Sequence, residues 1–220
     1  NHDYMERSVE NNMYVIDQLV PILDYTFREN KYSAYFYTNW KVNKKLSMKA
    51  GVNLDAFDLF YIDSARVVIP GMGNELATFE NWRTRWDADE LNVLLQPYVQ
   101  AKFKVNNKLT VTTGLTSTYY SINNNSLSPI EPRLGLSYQI DQKQRIGMGL
   151  GVHSQIQSNY LYYFGNRLVN DSPERYNIDM GLTRSNHFVL SYDRSIAKNM
   201  RMRMETYYQY LYNIPVEKEI

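Results

Sequence analysis

The residues with the strongest chemical potential in this 220-residue chain are Glu131, Arg133 and His153, a carboxylate, a guanidinium and an imidazole. Successive strand residues point to opposite faces. Glu131 and Arg133 therefore share a face, and a hairpin turn centred on Lys143 sets Arg133 opposite His153 and Glu131 opposite Gln155. Such a cluster can grip a polar ligand or stiffen a sheet through cross-strand pairs. Catalysis is not expected: His153 sits beside Ser154, and neighbours on one strand face apart, so they cannot form a nucleophile and base pair. The other two histidines are His2 and His187, and no His, Asp or Glu spacing suggests a metal site. No enzyme activity, metal or cofactor is expected.

A second candidate lies at Glu80-Asn81-Trp82-Arg83-Thr84-Arg85-Trp86-Asp87. Trp82, Arg83, Arg85 and Trp86 suit stacking on sugars or gripping anions, and equally suit packing the segment onto its neighbours. Tyr160 and Tyr162, within 159–167, form a third candidate for ligand contact, in competition with anchoring at a membrane interface.

The elements that position these residues read as strands. From Leu46 to Ala56 apolar and polar residues alternate strictly, and Asn43-Lys44-Lys45 joins this arm to Ala34-Phe36-Thr38-Trp40-Val42. Val42 then faces Leu46, Trp40 faces Met48 and Phe36 faces Val52. A one-residue slip would scramble the match. Asn106-Asn107-Lys108 joins the arm Leu95–Val105 to a long arm Leu109–Ile122. Gln142-Lys143-Gln144 joins Pro132–Ile140 to Ile146–Val152, with Gly135 opposite Gly151, Ser137 opposite Gly149 and Gln139 opposite Gly147. Ala197-Lys198-Asn199 joins Phe188–Tyr192 to Met200–Met204, with Asp193 opposite Arg203 and Ser191 opposite Glu205.

Between hairpins lie long excursions, at 57–93, 123–129 and 157–184, rich in Tyr, Asn, Arg and Trp. Short turns alternating with long loops are the asymmetry of an outer-membrane barrel. The expected fold is all-β: an antiparallel transmembrane barrel segment of eight up-and-down strands, with a ninth within Tyr14 to Phe27. Lys44, Asn107, Lys143 and Lys198 mark the periplasmic side.

Composition fits. Lys plus Arg at 24 against Asp plus Glu at 23 leaves a net charge of +1, with no basic stripe, so nucleic acid is not an expected partner. Cysteine is absent, which removes disulfide and thiolate chemistry. No apolar run is long enough for a spanning helix, and no signal-peptide pattern is visible at Asn1. A mean hydropathy of −0.51 is that of a soluble chain and equally that of a barrel whose alternate residues face a wet lumen, so hydropathy does not decide between them. Many of the 20 tyrosines, including Tyr119, Tyr120, Tyr160, Tyr162, Tyr163, Tyr207, Tyr208, Tyr210 and Tyr212, fall toward the long-loop ends, where an aromatic belt would lie. A soluble sandwich or lipocalin-like barrel also alternates. Arms of about a dozen residues exceed the usual globular strand, and the polar faces carry too many charges for a small packed interior.

The stretch SPIEPRLGLSYQIDQKQRIGMGLGVHSQ, from Ser128 to Gln155, resembles the barrel of Bacteroidetes TonB-dependent receptors, as do QPYVQAKFKVNNKLTVTTGL before it and MRMRMETYYQYLYNIPVE after it. The resemblance runs from Lys31 to Val216, and residues 1–30 match poorly. It implies one domain over 1–220, part of a barrel of about twenty-two strands around a plug. It implies energised import of a nutrient such as an oligosaccharide, peptide or metal chelate. The implied partners are outer-membrane lipid, the plug and through it TonB, the extracellular ligand and a surface lipoprotein. No plug, TonB box or terminal aromatic strand is recognisable in the sequence. The alternative is a complete small outer-membrane barrel acting as adhesin, binding or structural protein.

Overall fold

The computed structural model describes residues 2–10, 13–69, 77–168 and 175–216. They form β1 (His2–Glu10), β2 (Met13–Lys41), β3 (Leu46–Ala65), β4 (Val68–Ile69), β5 (Thr78–Phe79), β6 (Arg83–Lys104), β7 (Leu109–Thr116), β8 (Tyr119–Tyr120), β9 (Glu131–Gln139) and β10 (Gln144–Gln155). A four-residue helix α1 (Asn159–Tyr162) precedes β11 (Phe164–Leu168), β12 (Thr183–Ala197) and β13 (Met200–Tyr212). The chain is all-β and its described strand pairs are antiparallel. Among the described residues no helix is long and apolar enough to cross a membrane. The main sheet runs β1-β2-β3-β6-β7-β9-β10-β12-β13, with β8 and β11 both on β6, and β4 and β5 form a separate pair.

Contacts divide the chain into two compact units. One comprises Asn1–Lys31, Phe57–Asn92 and Ser158–Asp179, and the other Tyr32–Ala56, Val93–Gln157 and Met180–Ile220.

The second unit holds the hairpins. Three of its turns use the same device, an Asx side chain at the first loop position that accepts two backbone N–H groups and closes the turn. Asn43 Oδ1 accepts from Lys45 and Leu46 at 2.8 and 2.9 Å, Asn106 Oδ1 from Lys108 and Leu109 at 2.8 Å each, and Asp141 Oδ1 from Lys143 and Gln144 at 2.7 and 2.8 Å. The Asn43 N–H donates to the Leu46 carbonyl, in keeping with the expected register of the first hairpin. Tyr98 pairs with Thr116 and Lys104 with Thr110, as expected for the second.

The third hairpin differs by two residues. Its loop is Asp141-Gln142-Lys143, because Asp141 supplies the turn, and Ile140 donates to the Gln144 carbonyl. Arg133 therefore lies opposite Gly151 rather than His153, Gly135 opposite Gly149, Ser137 opposite Gly147 and Gln139 opposite Arg145. A shift of two preserves every face. In the fourth hairpin Asp193 pairs with Arg203 and Ser191 with Glu205 as expected, but a bulge before Ala197 shortens the loop to Lys198-Asn199.

The two faces of this unit differ sharply. One carries Val99, Phe103, Leu115, Leu134, Tyr138, Ile146, Leu150, Leu190, Met204 and Tyr208, all exposed. The other buries Glu131, Ser185 and Asp193. The long arm expected at Leu109–Ile122 is broken: β7 ends at Thr116, and β8 resumes pairing with β6 at Leu94 and Leu95. In the gap the Thr118 N–H donates to Ser128 Oγ at 2.7 Å.

In the first unit, much of the expected excursion 57–93 is strand. β3 continues to Ala65 and β6 begins at Arg83. The apolar phase changes at Phe57, from even positions to Phe57, Leu59 and Tyr61, which are buried. A sequence reading takes that change as a strand end; the backbone simply continues while the other face becomes the packed one. Likewise Tyr14–Phe27 is not a separate strand but the first part of β2, paired with β1 from Glu10↔Met13 to His2↔Leu23.

Candidate functional site

The polar face of the second unit holds a cavity of about 610 Å³, bordered by residues from β3, β6, β7, β9 and β10. Alternation brings them together, since every second residue of each strand turns to this face. Glu131 lies in it at 2% exposure. Its Oε2 accepts from the Thr116 hydroxyl at 3.1 Å, and Arg133 Nη2 stands 4.0 Å from the same oxygen. Oε1 has no hydrogen-bond partner among the described residues, and neither has the Ser154 hydroxyl; both atoms are closed to solvent. Lys49 Nζ rests 4.3 Å from the centre of the Tyr37 ring and 5.3 Å from that of Tyr98, a cation–π seat that holds the ammonium at the cavity wall.

Next to it, the His153 and His187 rings meet edge to face, with centroids 4.7 Å apart. Ser185 Oγ is 2.7 Å from His187 Nε2. The signal for this Ser–His pair in the sequence is its i, i+2 spacing, because residues two apart on a strand share a face. Nucleophilic catalysis needs an oriented base and donors for an oxyanion, and the described hydrogen bonds assemble neither around Ser185. Among the described residues no group of three His, Cys, Asp or Glu could hold a metal.

Toward the short turns of this unit, Asp193 accepts from Arg145 Nη2 at 2.6 Å and from Arg201 Nη2 and Nε at 2.6 and 3.0 Å. Arg203, its expected partner, bonds Glu205 instead. In the turn at Asp141, the Lys143 N–H, aided by Gln144, holds the carboxyl below its usual range.

The first unit gives its expected ligand-binding residues internal partners. Arg85 grips buried Asp63 through two bonds of 2.5 and 2.8 Å. Arg83 lies 3.8 Å from Glu80. Trp82 lies under the Arg66 guanidinium, 4.9 Å from its ring centre. Trp86 donates to the Tyr160 carbonyl at 2.8 Å and packs edge-on against Phe27 and Phe164. Tyr162 and Tyr163 are buried, whereas Tyr160 is exposed. In the second unit Tyr120 is fully buried too. Burial pushes the Tyr163 hydroxyl up, although it accepts from Asn92. Glu29 accepts from Tyr61 and Asn159 at 2.5 and 2.9 Å. Asp63, Glu29 and Asn92 were not read from the sequence, which gives no local sign of a buried polar partner.

No protein-family model, curated protein or solved structure matches this chain.

Proposed function

We propose that this chain forms part of the wall of a bacterial outer-membrane β-barrel, in a TonB-dependent receptor that imports a nutrient. The observation that carries the reading is the exposed apolar face of the second unit opposite a face with buried carboxylates. Water-soluble sheets place apolar residues inside, and large exposed apolar patches mark surfaces that something covers. At about 1.5–3 kcal/mol for each large side chain fully covered, ten half-exposed ones represent on the order of 10 kcal/mol, similar to the whole stability of a domain. Lipid covers such a face and lets the polar face turn to a wet lumen. The short turns then lie in the periplasm and the long loops outside. The sequence resemblance adds the class of receptor, and with it a plug, TonB and a surface lipoprotein as partners. The polar cavity supplies a wall on which a solute could rest. The Ser185 and His187 pair is read as wall structure, without enzyme activity.

The test is genetic and biochemical. The protein should fractionate with the outer membrane and migrate faster unboiled than boiled. Deleting its gene should abolish growth on one nutrient whose use also requires TonB. Outer-membrane residence without such a nutrient would favour the adhesin or structural barrel, and recovery in the soluble fraction would reject both.

A further inference from the structure

From the short-turn end of the second unit we infer a docking surface for anionic phospholipid headgroups, in the leaflet that meets those turns. The inference rests on the membrane reading of the apolar face and adds a choice among lipids, which that reading leaves open.

The chain's net charge of +1 conceals a separation. The stretches KVNKKLSMK (41–49), KFKVNNK (102–108), QIDQKQR (139–145) and DRSIAKNMRMRME (193–205) hold 13 of the 24 Lys and Arg and three of the 23 Asp and Glu. The rest of the chain therefore carries 11 cations against 20 carboxylates. Far apart in sequence, the four stretches are neighbours in the fold. The Lys104 N–H donates to the Lys45 carbonyl, the Gln139 N–H to the Lys108 carbonyl and the Ser195 N–H to the Lys143 carbonyl, each at 2.8 Å, so every hairpin is bonded to the next beside its turn.

The three carboxylates at this end are already held. Asp193 takes Arg145 and Arg201, Glu205 takes Arg203, and Asp141 accepts the amides of its own turn. Lys44, Lys45, Lys108, Lys143 and Lys198 are exposed and take no part in these ion pairs. Strands pair about 4.8 Å apart and the Debye length is about 8 Å in physiological salt. Cations on adjacent turns therefore feel one another, and an anionic surface relieves the repulsion.

The neighbours of these cations decide what kind of anion fits. Val42, Phe103, Val105, Ile140, Ile196 and Met200, in the same four stretches, are exposed. A nucleic acid or an acidic peptide would leave them in water. At a bilayer surface such side chains enter the acyl layer while Lys and Arg extend their stems to the phosphates. An anionic leaflet attracts clustered cations and a zwitterionic one does not.

The experiment reconstitutes the intact protein into phosphatidylcholine bilayers and reads, by electron spin resonance, how much trace spin-labelled phosphatidylglycerol or phosphatidylcholine it immobilises. Phosphatidylglycerol should associate about threefold more strongly or better, and about 1 M NaCl, where the Debye length is about 3 Å, should abolish the difference. Joint replacement Lys44→Gln, Lys108→Gln, Lys143→Gln and Lys198→Gln keeps the backbone groups that the turns use and should remove most of the preference. Arg133→Gln, at the other end of β9, should retain it. Equal association of the two lipids, a preference unchanged in the quadruple variant, or equal loss in Arg133→Gln would each overturn the inference. Stronger association of spin-labelled lipid A than of phosphatidylglycerol would assign this end to the other leaflet and overturn it too. If the quadruple variant does not insert, an undiminished preference in both Lys44→Gln/Lys108→Gln and Lys143→Gln/Lys198→Gln overturns it instead. Vesicle flotation scores insertion separately. Wild-type protein left outside the bilayer overturns the membrane reading and the inference together, whereas inserted protein without lipid preference overturns the inference alone.

Discussion

The Tyr98 hydroxyl lies where a side chain on Gly51 would have to go, 2.8 Å from the position of a Cβ there. The Phe36 carbonyl oxygen stands 2.5 Å from the same point and Tyr37 Cβ 2.8 Å. The ring thus covers a bare stretch of backbone, and two of the three obstacles belong to the neighbouring strand, where small side-chain movements cannot relieve the clash. Gly51→Ala should destabilise the folded protein by about 1–3 kcal/mol, the usual cost of overpacking. Denaturant unfolding in micelles measures it; a value within error of zero would show that the strands yield freely.

Leu150 tests the apolar face. Leu150→Arg should cost about 2–4 kcal/mol in a lipid environment if the position lies near the bilayer centre. Thr112→Lys, on the polar face, should cost far less. Refolding yield into vesicles, followed by the unboiled gel shift, compares them. Equal tolerance at both positions would contradict the assignment of faces.

Asp63 tests the packing of the first unit. Asp63→Asn leaves Arg85 without its charged partner, and the loss should be about 1.5–3 kcal/mol for bonds to charged groups, reduced by the partial exposure of Arg85. Limited proteolysis near Arg83 and Arg85 should become faster, while the hairpin turns keep their resistance.

Asp141 gives a pH dependence. Its carboxyl is held below the ordinary 3.8 by the Lys143 and Gln144 amides, so the ionised form favours the turn. Stability from this source is complete above 3.8 and is lost as pH falls through the lower folded value. Amide protection at Lys143 and Gln144 should therefore drop at acid pH. Asp141→Asn should remove the pH dependence and keep the turn, since Asn43 and Asn106 close theirs with a neutral amide oxygen.

These turns also show how far the sequence could be read. Alternation fixed faces everywhere in the hairpins, because a side chain's face depends only on parity. Register needed the turn as well. Asn43 and Asn106 head their loops, and there the expected pairings hold. At the third hairpin Ile140 and Ile146 make an attractive apolar match that hides Asp141 as the turn residue, whereas the strands pair Tyr138 with Ile146, two residues away. The first unit was less legible for a different reason. Phe57, Leu59 and Tyr61 reverse the apolar phase of β3 because theirs is the buried face there, Tyr61 packing edge-on against Phe27 and Tyr163, and tertiary contacts of that kind leave no local periodicity. The same limit applies to Glu131. Its type and position were visible, but its burial and its unpartnered oxygen depend on strands distant in sequence.

The central claim is that one face of the sheet meets lipid and the other meets water. The chain contains no cysteine, so single-cysteine spin labels can be placed cleanly along β9 at positions 133 to 138 in protein reconstituted into bilayers. Labels at Leu134, Leu136 and Tyr138 should relax with dissolved oxygen, which concentrates in lipid, and labels at Arg133, Gly135 and Ser137 with a water-soluble nickel chelate, giving opposed oscillations of period two. Uniform access of the nickel chelate at all six positions, or oscillation in the reverse phase, would contradict the membrane assignment.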